Sequence, residues 1–156
     1  MSAAGLHVRE LWNRLDQQMR WFMTTYGIQI LRVCLGIVFT WFGALKVAGR
    51  SPVEALVAQT VSWVAPEILL PLLGVWEIAV GLGLLLRVAL RTTLFLFWLQ
   101  MAGTFLVLLL RPDLAFQQGN PLLLTTEGEF VIKNLVLISA GIVVGSTVRR
   151  DAADAR

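Results

Sequence analysis

Charge is what this sequence has least of. Only 15% of its 156 residues are Asp, Glu, Lys or Arg, against about 25% in a soluble domain. Cysteine and histidine occur once each. A lone Cys34 has neither a disulfide partner nor a CxxC neighbour, and it reads as a small packing residue. A lone His7 could hold a metal only with ligands from another chain. No ligand set for haem, iron–sulfur or copper stands out, so any electrons must come from a partner. No nucleophile–base set, phosphate loop or exposed basic face appears either, which removes support for hydrolase, transferase and nucleic-acid roles. The first twenty residues lack the short apolar core and cleavage site of a signal peptide, so the first span is expected to act as an uncleaved insertion signal.

Apolar residues fill the space. They make up 57% of the chain, with a mean hydropathy of +0.74. This composition predicts an all-α integral membrane four-helix bundle, with lipid around most of its surface. Four runs are long enough to cross a hydrocarbon core of roughly 30 Å: about 27–47, 67–86, 92–110 and 127–148. Residues 1–26 form a separate segment. Val8, Leu11, Trp12, Leu15, Met19 and Phe22 recur at helical steps opposite Arg9, Arg14 and Arg20. That pattern predicts an amphipathic helix lying on the membrane, or else docking a partner protein. Between the first two spans, Ser51-Pro52-Val53-Glu54 predicts the start of a helix of about 13 residues. It is too short to span and is expected in the opposite interface. Thr126-Glu127-Gly128-Glu129 matches a capping box opening the fourth span. Residues 149–156 form a short charged tail.

The first span has the most informative face. Arg32, Gly36, Phe39, Gly43 and Lys46 fall in one helical stripe. Lipid would reject a stripe of two cations and two glycines, so it must look at protein or at a water-filled pocket. Glu77 lies near the middle of the second span and Gln100 near that of the third. In the fourth, Glu129 and Lys133 are four apart in the favourable acid-before-base order. The expectation is a charge cluster in the outer, extracytoplasmic half of the bundle, with Glu77 neutralised by Lys46 or Lys133 and Arg32 as a third candidate. Arg32 could instead snorkel to the headgroups. Such a network can be plain interhelical glue. It can also be a polar pocket lined by Trp41, Trp76 and Trp98, which lie too deep for an aromatic belt. A flat ligand such as a quinone would stack there and bond to Lys or Glu.

Several of these motifs occur together in a known family. Arg32-x5-Val38-Phe39-x-Trp41-Phe42-Gly43-x-Leu45-Lys46, then Glu77-x3-Gly81, then Glu127-Gly128-Glu129-Phe130-Val131-Ile132-Lys133-Asn134 resemble the DoxX-like membrane proteins, most closely the YkgB branch. The resemblance implies a four-helix protein of the bacterial inner membrane. Some members are associated with quinone-linked sulfur oxidation, others with oxidative stress or with assembly of other membrane proteins. By position, Arg32, Lys46, Glu77, Glu129 and Lys133 would be the family's polar set. The segment between the first two spans is shorter than in the YkgB pattern and the amphipathic N-terminus longer. Three functions follow as expectations: a redox-associated subunit with a quinone-type ligand, an accessory subunit docked on a partner membrane protein or a second copy, and a small transporter or proton pathway through Glu77.

Four spans put both termini on one side. Arg9, Arg14, Arg20, Arg87, Arg91, Arg149, Arg150 and Arg156 gather there, against Arg50 and Arg111 on the other. The positive-inside bias predicts cytoplasmic termini. A C-terminal reporter fusion should therefore be active only in its cytoplasmic form; an externally active one would reverse the orientation.

Overall fold

The computed structural model describes residues 3–148; the predicted tail at 149–156 and the side chain of His7 lie outside what it describes. Seven α-helices follow in order: α1 Ala3–Val47, α2 Glu54–Thr60, α3 Pro66–Leu86, α4 Leu90–Thr104, α5 Leu106–Leu110, α6 Pro112–Ala115 and α7 Thr126–Gly145. Among the described residues four segments are long and apolar enough to cross a membrane: Leu11–Val47, Pro66–Leu86, Leu90–Leu110 and Thr126–Gly145. The molecule is the expected all-helical bundle of four spans. Two connecting segments, 48–65 and 111–125, lie at one end, here termed the loop side.

The expected separation of an N-terminal helix from the first span is not what forms. α1 runs unbroken for 45 residues, about 68 Å at 1.5 Å per residue. No proline interrupts it, and Gly27 alone costs only about 1 kcal/mol in a helix. Trp12, Leu15, Met19 and Phe22 are exposed along the portion that runs beyond the other helices.

α1 and α3 run antiparallel and meet backbone to backbone. A Cβ added at Gly43 would lie 2.5 Å from the Gly74 carbonyl oxygen, and one at Gly36 would lie 2.9 Å from that of Gly81. Any side chain there would force the helices apart. Lipid offers no hydrophobic drive between apolar helices, so close van der Waals contact has to hold them. Arg32 closes the end of this seam away from the loop side by donating to the Leu84 and Leu85 carbonyls. Those acceptors belong to the last turn of α3, where a cation meets unpaired carbonyls and the negative end of the helix dipole. The arginine thus snorkels onto a helix end rather than pairing with Glu77.

The core beside the seam joins all four spans through Leu35 and Phe39, Val80 and Leu84, Leu94 and Phe97, and Ala140 and Val144. The rings of Phe39 and Phe97 are 5.2 Å apart. A smaller cluster of Val107, Ala115 and Val131 sits on the loop side, where Leu56 of α2 covers it.

Three boundaries differ from expectation. α2 starts at Glu54 and has seven residues, with Val53 at its cap and no side-chain cap bond; Ser51 and Pro52 stay in the preceding turn. The cap of α7 is Thr125, one residue earlier than the sequence match, and its hydroxyl accepts from the Gly128 N–H at 3.0 Å. The same hydroxyl donates to the Leu114 carbonyl at 2.5 Å, a tertiary contact that selects Thr125 over Thr126. The third span is interrupted at Phe105, next to which the Thr104 hydroxyl donates back to the Met101 carbonyl at 2.8 Å. Arg111 then ties the loop side together. It donates to the Gln59 carbonyl and makes a two-pronged bond to Asp113, whose carboxyl this hydrogen bonding holds below its usual pKa.

Gly43→Val should cost about 1–3 kcal/mol through overpacking. Gly103→Ala, where nothing lies within 4 Å, should be neutral or mildly stabilising. Thermal unfolding in detergent checks both; a seam that tolerates valine would refute the close approach.

Candidate functional site: a buried ion pair among three spans

Three helices each contribute one polar side chain to a single point in the bundle. The Lys46 ammonium of α1 donates to one oxygen of Glu77 at 2.6 Å, and the two side chains are only 8% and 11% exposed. The Gln100 amide of α4 donates to the other Glu77 oxygen at 2.5 Å. Glu77 is eleven residues into α3, about 16 Å from its start and so near mid-membrane. Lys46 starts one turn beyond Gly43, and its flexible stem carries the charge down to that level. Both charges are removed from lipid, and each carboxylate oxygen has its own donor.

Among the described residues one buried polar side-chain atom is left over: the Gln100 side-chain oxygen has no hydrogen-bond partner there. Such an atom costs roughly 1–3 kcal/mol unless something donates to it. One turn on from Gln100, the Thr104 hydroxyl accepts from Asn134 of α7 at 3.3 Å, a second polar link between spans.

The remaining candidates lie apart from this cluster. Lys133 pairs with Glu129 at 3.1 Å on the exposed face of α7, at 73% and 58% side-chain exposure, and does not neutralise Glu77. The reason is helical phase: Val131 and Asn134 are buried, which turns Lys133 outward. Arg32 serves the end of α3. Trp76 is half-buried and donates its ring N–H to the Leu96 carbonyl at 3.2 Å, tying α3 to α4. Trp98 lies edge-on to Phe97 at 5.5 Å. Trp41 is 65% exposed on the outward face of α1. The expected pocket walled by three tryptophans and both lysines is therefore not assembled; the compact Lys46–Glu77–Gln100 cluster stands in its place. Sequence reasoning missed the Arg111 clamp, although Arg111 and Asp113 two residues apart at a span end were a visible signal.

A model of one protein family, DoxX, matches residues 27–109, which holds Arg32, Lys46, Glu77 and Gln100 but not Glu129 or Lys133. No curated protein matches the chain, and no solved structure does.

Removing one partner of a buried pair typically costs about 3–5 kcal/mol, and replacing both by apolar groups is often neutral. Lys46→Met or Glu77→Leu alone should therefore destabilise the protein far more than Cys34→Ala, and the double variant should recover most of the loss. Lys133→Met should shift stability by less than about 1 kcal/mol. Melting midpoints in detergent decide it: similar falls for Lys46→Met and Lys133→Met would contradict the pairing.

Proposed function

The chain belongs to the DoxX family, and on that premise we propose that it is a redox-associated membrane subunit that binds a quinone-type head group at Lys46, Glu77 and Gln100. The observation that carries this reading is the unpartnered Gln100 oxygen. It is a buried acceptor beside an ammonium donor and a carboxylate, near mid-bilayer. A quinone, when bound, supplies two-electron chemistry coupled to protons. Lys46 would donate to a carbonyl oxygen, Gln100 would accept from a hydroxyl, and Glu77 would hold a proton close by. Electrons would be supplied by a partner subunit. The motif spacing supports a position nearest the YkgB branch, and the arginine distribution supports the bacterial inner membrane with cytoplasmic termini.

A second reading has one observation in its favour. Lys46 and Glu77 satisfy one another, Asn134 donates to the Thr104 hydroxyl and Trp76 to the Leu96 carbonyl, as interhelical glue in an accessory subunit would.

Quinone extracted from the detergent-purified protein separates the two. The redox reading expects quinone at near-stoichiometric amounts, falling at least about tenfold in Gln100→Met, a change of about 1.4 kcal/mol or more in binding. Wild-type protein carrying no more quinone than an unrelated four-span protein prepared alongside would refute it.

A further inference from the structure

The outward face of α1 carries a groove that neither the core nor the ion-pair cluster uses. Ile37, Trp41, Ala44 and Ala48 line it at four-, three- and four-residue steps, with Leu85 of α3 and Arg50 completing the wall. Its volume is about 520 Å³. The small side chains of Ala44 and Ala48 leave the trough, and the bulk of Trp41 and Leu85 bounds it. From Ile37 to Ala48 it measures about 16 Å along the helix, close to half of a hydrocarbon core of roughly 30 Å. That is the depth of one leaflet.

Arg50 stands at the headgroup end. The chain leaves α1 through Gly49, whose φ of 63° is left-handed, and the Arg50 N–H returns to the Leu45 carbonyl at 2.9 Å. This pair of features is a Schellman-type stop, and it fixes where the arginine emerges. The Arg50 side chain is exposed and has no hydrogen-bond or ion-pair partner among the described residues. Among the described residues no carboxylate lines the groove, so its one charged group is the Arg50 cation, which suits an anionic headgroup.

We propose that this groove is a binding site for one anionic glycerophospholipid of the loop-side leaflet, its acyl chain along Ile37–Ala48 and its phosphate on Arg50. The site is independent of the Lys46–Glu77–Gln100 reading, because it shares no residue with that cluster. A single basic residue at the membrane surface favours an anionic over a neutral lipid by about fivefold.

Native mass spectrometry of the full chain tests this, after delipidation and exchange into micelles holding equal phosphatidylglycerol and phosphatidylethanolamine with matched chains. The expected result is one retained lipid, with phosphatidylglycerol preferred about fivefold. Arg50→Gln, in an exposed turn, should abolish the preference. Ala44→Phe should fill the trough and abolish retention of both lipids. Equal retention of the two lipids by the wild type, an unchanged preference in Arg50→Gln, or an isoprenoid quinone displacing phospholipid from the groove would overturn the proposal. None of these outcomes bears on quinone content changed by Gln100→Met, so the two readings fail separately.

Discussion

The bundle depends on one contact, the backbone approach of α1 and α3 at Gly43 against Gly74 and Gly36 against Gly81. Within lipid, leucine on a neighbouring helix is no better company than an acyl chain, so apolar surface alone does not choose partners. Shape does. Two helices whose surfaces are flattened by glycine in matching register gain continuous van der Waals contact, the most extensive between any two described helices. Antiparallel order then follows from the short interval between the first two spans.

That register carries the polar groups with it. With the glycines aligned, Arg32 falls at the final turn of α3 and bonds its carbonyls, while Lys46, near the opposite end of the same stripe, reaches Glu77. Each cation meets a different kind of negative end, one a helix terminus and the other a carboxylate. The third span adds Gln100 to the free oxygen of Glu77, and the fourth adds the Asn134–Thr104 link. A buried charge pair contributes little net stability compared with well-packed apolar residues, but a mismatched arrangement would leave charge in hydrocarbon, so the pair penalises wrong packings. The same cluster can therefore order the helices and, through the remaining Gln100 oxygen, present a ligand with an acceptor.

Much of this was visible in residue order. The stripe from Arg32 to Lys46 announced a protein-facing side because its period is helical and its members are unfit for lipid. Glu77 needed a cation for the same reason. Choosing between Lys46 and Lys133 was beyond periodicity, since both are lysines at plausible depths, and the choice turns on the rotation of α7 set by buried Val131 and Asn134. The tryptophans were ambiguous in another way: depth excludes an aromatic belt but does not say which face a ring occupies. The cap of α7 moved by one residue because Leu114, on a different segment, offers Thr125 a second bond. The break expected near residue 26 failed because an amphipathic pattern describes a surface and contains no signal that ends a helix.

Sequence by itself therefore determined the quantities that are sums along the chain: four lipid-crossing segments, the scarcity of charge, and which residues lipid would refuse. Tertiary structure alone decided the pairings, because partner choice depends on the rotation and register of helices about one another. Those are fixed by contact shape over the whole seam, where a displacement of one residue turns a helical side chain by about 100° and would send Lys46 or Gln100 away from Glu77.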